Sequence, residues 1–274
     1  MKPRSFDYVR PDSVDEAVAL LAEHGEAARV MAGGQSLMAM LNLRLAEPDV
    51  VIDISRLAEL DVIVETDAAI EIGATVTQNR LLAWPKLSEK LPLVANMLPH
   101  VGHFQTRNRG TVCGSIAHAD PSSELPLALA MLGGEVVLRS KGGIRVLTAH
   151  NFQRDVLTTA READELITAV RFSAQGTKRV AFREVARRHG DFAIIALAAT
   201  VDGEKVKLGV SGLGGKPVLM QINGTGTSTV EDAVAALASR VDGYDDVHAT
   251  AAMRRDMLRN LAPIVVREAV QCVE

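Results

Sequence analysis

A chain of 274 residues with 47% hydrophobic content is long and apolar enough for two or three packed lobes, which excludes a disordered protein. Its net charge is -4 and its 30 basic residues are scattered rather than gathered on one stripe, which argues against nucleic acid as a partner. Two cysteines, Cys113 and Cys272, are too few for a disulfide framework or an iron–sulfur cluster; no run approaches a membrane span and the N-terminus MKPRSFDYVRPDS lacks the apolar core of a signal peptide, so a cytoplasmic protein is expected, with any such cluster on another chain.

The chain opens on an extended Ser5–Arg10, after which Pro11 and Ser13 announce a helix. Ser13 and Glu16 have capping-box spacing, Val14, Ala17, Val18 and Leu21 recur with helical period, and Gly25 ends it. Ala28–Ala32 reads as a short strand closed by Gly33-Gly34, with a helix over Leu37–Leu41 beyond that turn. Val50–Ile54 is a buried strand, and Val62–Glu65 with Ala69–Ala74 form a hairpin about Asp67, where a second lobe begins. Helical patterns over Gln78–Ala83 and Leu91–Leu98 lead into a polar, glycine-bearing segment, His100–Asp120, predicted as one long functional loop. An apolar helix over Ser122–Leu132 follows. Strands are predicted at Glu135–Leu138, Arg145–Thr148, Leu166–Phe172 and Arg179–Glu184, with β or mixed structure over Phe192–Val201 and Lys205–Ser211. Apolar residues thin out around Ala174–Lys178, which marks a domain boundary. Ser228 and Glu231 form a second capping box ahead of the helix Val230–Leu237, and His248–Val273 is a long helical pattern interrupted at Pro263, with Met253, Met257, Leu261, Ile264 and Val265 packed as core. The class is α+β, in three lobes: 1–57, 58–175 and 176–274.

Two glycine segments carry the chemistry. In Ala32-Gly33-Gly34-Gln35-Ser36-Leu37, consecutive glycines just before a helix permit positive φ and a close backbone approach, so exposed amides there suit a phosphate. In Arg107 to Pro121, RNRGTVCGSIAHADP, two turns of small residues carry hydroxyls at Thr111 and Ser115, and carboxylates follow at Asp120 and Glu124. A pyrophosphate wants N–H and O–H donors, whereas a ribityl or ribose chain wants a carboxylate acceptor. Neither segment has the Rossmann or P-loop spacing. Residue by residue, the pattern reaches as far as a dinucleotide clamped from two lobes.

These motifs go further as a set. Phe6-Asp7-Tyr8-Val9-Arg10-Pro11, AGGQSL at 32–37, Asn42-Leu43-Arg44-Leu45, Gln105, RNRGTVCGS at 107–115, HADPSSELP at 118–126 and ARRHGDFA at 186–193 resemble, nearly end to end, the medium, FAD-binding subunit of molybdenum hydroxylases of the xanthine dehydrogenase and carbon monoxide dehydrogenase type. The resemblance implies a two-lobed FAD-binding domain of the vanillyl-alcohol-oxidase-like type followed by a smaller α+β C-terminal domain. It implies FAD on this chain, with molybdopterin on a large partner subunit and [2Fe-2S] clusters on a small one, in a dimer of heterotrimers. Electrons would pass from the partner clusters through FAD to an external acceptor. Cofactor contacts are implied for Val30, Met31, Ala32, Gly33, Gly34, Gln35, Ser36 and Leu37, and for Thr111, Val112, Cys113, Gly114 and Ser115, with Ala32 to Ser36 and Thr111 to Ser115 around the pyrophosphate. Glu124 falls at the ribityl-binding acid, and Val101 and Ile167 near the flavin. No residue is implied as acid or base. Cys113 stands where most members carry glycine, so ordinary backbone and a buried side chain are expected there; Gln35 stands where carbon monoxide dehydrogenases carry His.

Other motifs have plainer readings. His100, His103, His118 and Asp120 have metal-binding residue types but no familiar ligand spacing. Gly33-Gly34-Gln35-Ser36 lacks the closing glycine of a hydrolase elbow, since residue 38 is Met. Gly209–Lys216 is a turn without P-loop spacing, and Arg187, Arg188 and His189 form a solvated basic turn. A stand-alone flavin oxidoreductase and a cofactor-free scaffold are the competing functions.

Overall fold

The computed structural model describes residues 2–174 and 179–271, so the core of the predicted boundary, 175–178, and Cys272 lie outside the described residues. β1 (Asp7–Val9) leads into α1 (Val14–His24), whose start is fixed by Ser13 Oγ accepting from the Glu16 amide at 3.1 Å and whose end is Gly25 at φ 50°. The return arm of the predicted capping box is displaced by one residue, because Glu16 Oε2 accepts from the Asp12 amide at 2.7 Å. β2 (Ala28–Met31), α2 (Leu37–Leu43) and β3 (Val50–Asp53) complete the first lobe, a parallel sheet in the order β1-β3-β2. The carboxyl end of β2 runs straight into Gly33-Gly34, and ligands of parallel sheets gather outside such ends.

The second lobe begins with the predicted hairpin, β4 (Ile63–Glu65) and β5 (Ala69–Gly73), followed by α3 (Gln78–Leu82), α4 (Leu87–Lys90) and α5 (Pro92–Met97). The segment 100–120 is not one loop. It holds α6 (Phe104–Arg107) and α7 (Val112–His118), the second fixed by Thr111 Oγ1 accepting from the Gly114 amide at 2.9 Å. α8 (Glu124–Met131), β6 (Glu135–Ser140), β7 (Gly143–Thr148), α9 (Ala149–Phe152), the ribbon β8 (Gln153–Asp155) and β9 (Thr158–Thr159), and β10 (Leu166–Ser173) follow. The resulting antiparallel sheet has the order β4-β5-β10-β6-β7. One continuous core underlies both lobes, joining Val18 and Ile52 of the first to Ile70, Leu93, Val170 and Phe172 of the second.

The C-terminal domain is an antiparallel meander, β11 (Arg179–Val185), β12 (Ile195–Asp202), β13 (Lys205–Ser211) and β14 (Val218–Asn223), backed by α10 (Thr227–Arg240) and α11 (Ala251–Gln271). It has its own core, with Ile195, Leu208, Val234, Leu258 and Val265. The molecule is thus a two-domain α+β protein. Four expectations change here. α10 begins after Gly226 with no side-chain cap, so the Ser228 box does not form. α11 continues through Pro263. Val265 is core as expected, with Met257 and Leu261 packed against it, but the buried stripe runs through Leu258, Ala262 and Ala269, in phase with Arg254, and Met253 is 46% exposed. Gly209 belongs to β13 rather than to a turn, which is confined to the residues after Ser211.

Arg254 explains that phase. Its buried guanidinium donates to the Ile194 carbonyl, to Gly212 O at 3.0 Å and to Asp246 Oδ2 at 2.6 Å, and lies 4.2 Å from the centre of the Tyr244 ring. It thereby fixes the turn after β13, whose Gly212 amide donates to Pro121 O at 3.1 Å just ahead of α8.

Candidate cofactor site

A cleft of about 650 Å³ runs between the first two lobes, with Gly190, Asp191 and Phe192 of the C-terminal domain at its edge. Residues 30–37 form one wall, and Thr111, Cys113, Gly114 and Ser115 form the facing one; Val101, Glu124 and Ile167 also line it. Val112 is the exception among the residues named from the sequence. Its side chain is fully buried in the core and its amide donates to Val76 O at 3.1 Å.

The two glycine segments touch. A Cβ on Gly33 would lie 2.1 Å from the Arg109 carbonyl oxygen, so only glycine permits this approach. Gly34 has φ 69°, which turns the chain out of β2 and into α2. Among the described residues, the amides of Gly33, Gly34, Gln35, Ser36 and Leu37 donate to no other backbone group, and Ser36 makes no capping bond. On the facing wall Gln78 braces the turn, its amide donating to Gly110 O at 2.8 Å, while its buried Oε1 has no partner. Arg107 donates to the carbonyls of Val101 and Gly102, each at 3.0 Å, which holds Val101 against the cleft.

Cys113 has the ordinary helical backbone expected of it, and its side chain is buried. Its Sγ donates to Ile72 O at 3.4 Å, and burial, ahead of any charge, pushes the thiol far above its usual range. Glu124, the first residue of α8, is 5% exposed, and burial pushes its carboxyl up to about 8, so it is protonated at neutral pH. Ile167 enters the cleft where a bulge interrupts the pairing of β10 with β6, which re-aims one side chain.

Several lining groups escaped the sequence reading. Arg29 and Arg161 occupy the same end of the cleft; burial, then the like charge of Arg29, holds Arg161 below the ordinary arginine range, and Arg161 donates to Glu165 O at 2.7 Å. Phe192 stands 64% exposed at the edge. The alternation Arg29–Met31 in a strand, and an aromatic beside Gly190-Asp191, were the only signals available. The tempting metal set disperses: His100 pairs with Glu184, Asp120 Oδ1 accepts from the Ser122 amide at 2.8 Å, and His118 ends α7 at the cleft.

A wall of unspent amides meeting a second glycine turn in a cleft that a buried carboxyl also lines suits a dinucleotide cofactor. Residues 4–173 match the family described as the FAD binding domain in molybdopterin dehydrogenase, and the chain belongs to that family, as the medium, FAD-binding subunit of a molybdenum hydroxylase. Among its relatives, the 6-hydroxypseudooxynicotine dehydrogenase complex subunit alpha of Paenarthrobacter nicotinovorans is 34% identical over 98% of this chain and 96% of its own length. The glyceraldehyde dehydrogenase medium chain of Sulfolobus acidocaldarius is 32% identical, covering 98% and 99%. Among solved structures, quinoline 2-oxidoreductase from Pseudomonas putida 86 superposes with a TM-score of 0.92 at 29% identity over 99% of both chains. Carbon monoxide dehydrogenase from Hydrogenophaga pseudoflava gives 0.93 at 29% identity, over 98% of this chain and 99% of that one. Among the described residues no helix is long and apolar enough to cross a membrane.

Proposed function

We propose that this chain holds FAD in the cleft between its first two lobes and relays electrons between the [2Fe-2S] clusters of a small partner subunit and an external acceptor, while a large partner carries the molybdopterin cofactor. The contact of Gly33 with Arg109 carries the reading, because it brings two donor-rich turns to one place with no side chain between them. In this reading the amides and the Ser36 hydroxyl of 32–36, with the hydroxyls of Thr111 and Ser115, hold the diphosphate; Val30, Met31 and Leu37 shape the wall beside it. Glu124 takes the sugar-chain hydroxyls, and Val101 and Ile167 give the ring an apolar seat. Cys113 contributes volume and its backbone; Val112 supports from the core. When bound, FAD supplies the exchange between two-electron and one-electron transfer, for which this chain need offer no acid or base.

Relatives are named for a nicotine derivative, glyceraldehyde, quinoline and carbon monoxide, a spread that supports placing substrate choice on another subunit. A dimer of heterotrimers in the cytoplasm is the assembly we propose, and the three-lobe division at 57 and 175 the organisation of the chain. The test is to purify the tagged chain under mild conditions from its native host, denature it with acid and quantify the released flavin. About one FAD per chain is expected, with the two partner subunits attached; a flavin-free complex with both partners present overturns the proposal in favour of a scaffold.

A further inference from the structure

α2 joins the cofactor cleft to an uncovered apolar surface. Six of its seven residues, LMAMLNL, are apolar, yet only Leu41 is buried. At about 100° per residue, Leu37, Met40 and Leu41 share the inner side of the helix, and Leu37 and Met40 line the cleft. Met38, Ala39, Asn42 and Leu43 share the outer side, where all four are exposed, Leu43 by 53%.

The end of the helix extends that surface. Arg44 takes the left-handed conformation at φ 58°, its amide donates to Leu41 O at 3.1 Å, and the Leu45 amide donates to Met40 O at 2.8 Å, which together make a Schellman stop. In that motif an apolar residue after the left-handed position commonly packs back on the last turn. Here Leu45 is 72% exposed. Glycine takes the left-handed position at the least cost, and the arginine that stands there instead sets a charge between two exposed leucines. Among the described residues the Arg44 guanidinium makes no ion pair and no hydrogen bond. Single exposed leucines need no explanation, but a continuous face of Met38, Leu43 and Leu45 does.

The place of α2 in the fold says what covers it. One helix, about 10 Å across, separates the outer face from the cleft that Leu37 and Met40 line on the inner one. A subunit seated there lies beside the cofactor. Electron exchange weakens steeply with separation, so the partner that carries the [2Fe-2S] clusters has to dock close to the flavin, whereas the large subunit is under no such constraint. Ile144 and Val146 form another exposed aliphatic pair, but they lie on the edge strand β7, no residue of which lines the cleft.

We propose that the outer face of α2, with Leu45, is the docking surface for the small [2Fe-2S] subunit, which covers Met38, Leu43 and Leu45 with an apolar patch and offers a carboxylate to Arg44. This rests on the reading that FAD occupies the cleft and that the clusters belong to the small subunit.

The experiment uses the whole complex from the native host, with a photo-crosslinking residue at position 45 in one preparation and at position 144 in another. The crosslink from position 45 should fall on the small subunit, and the one from position 144 should not. A further variant, Leu43→Glu with Leu45→Glu, changes only exposed side chains and should leave the melt of the full chain unchanged. On dilution of its complex, followed by native mass measurement, the small subunit should dissociate about a hundredfold more readily, at about tenfold for each leucine no longer buried. Arg44→Glu should weaken the same contact by at least about tenfold, and Arg44→Lys, which keeps the charge, should restore most of it. A crosslink from position 45 to the large subunit or to a second copy of this chain overturns the inference, as does a double variant that holds the small subunit as tightly as wild type; flavin binding survives either result. If the double variant fails to fold, the crosslink decides. A wild-type complex with both partners and no flavin sinks the proposed function, and with it the reason for placing the clusters beside α2.

Discussion

The two glycine segments look alike in sequence, each a run of small residues opening a seven-residue helix, yet they spend their hydrogen-bonding groups differently. In the first, the amides from Gly33 to Leu37 have no backbone acceptor and Ser36 caps nothing. In the second, Gly110 N is taken by Thr106 O at 2.7 Å, Val112 N by Val76 O, Gly114 N by Thr111 Oγ1 and Ser115 N by Thr111 O at 3.2 Å. One turn keeps its amides available for a ligand; the other commits its amides to standing firm and has only hydroxyls left to offer. The lesson is that glycine content marks where backbones approach closely, and the hydrogen-bond inventory decides which approach serves binding and which serves support.

Three substitutions and one labelling experiment bear on that contrast. Gly33→Ala should have the largest effect, because the new methyl would meet the fixed Arg109 carbonyl on the opposite segment. A loss of about 3 kcal/mol in stability, at the upper end of overpacking costs, and loss of bound flavin are expected from denaturant melts and flavin content; a fully stable, yellow Gly33→Ala would remove the contact on which the site was built. Thr111→Ala deletes a used cap and should cost about 1 kcal/mol in a melt of the flavin-free chain. Ser36→Ala should leave that melt unchanged and instead weaken FAD binding about fivefold, the worth of one hydrogen bond. Both deletions should weaken FAD binding, but if they shift the flavin-free melt alike, the distinction between a turn that only binds and one that also supports fails. Smallest of all is the response of Cys113: buried and pushed up, its thiol should resist alkylation at pH 8 in the folded chain and react on unfolding. Rapid labelling of the native protein at that residue would show that the supporting turn opens.

Local pattern carried much of the fold. Ser13 and Gly25 bracket α1, and apolar runs mark β3 and β10, because these features depend on near neighbours. What failed depends on distant ones. α6 and α7 were hidden in a presumed loop because they are short and polar or small, and rest on the Thr111 cap and the bonds to Val76 and Gln78 rather than on an apolar period. The phase of α11 was only partly legible because its largest buried side chain is an arginine, satisfied by carbonyls and an aspartate that lie elsewhere in the chain. The glycine segments were legible as a candidate site, yet Arg29, Gln78 and Arg161 were not, since nothing near them in sequence tells that they share a cavity.

The continuous core beneath the first two lobes has a consequence for biosynthesis. The opening sheet has three strands of three or four residues each, too little to stand by itself, and its buried residues share one core with Val170 and Phe172, while α1 beside it packs on β10. β10, which carries them, is also the central strand between β5 and β6. The first sixty residues emerging from a ribosome therefore have to wait for more than a hundred others before they can close over anything. Nascent chains arrested before Leu166 should remain open to proteolysis, and the segment held longest in that state is the one with the unspent amides.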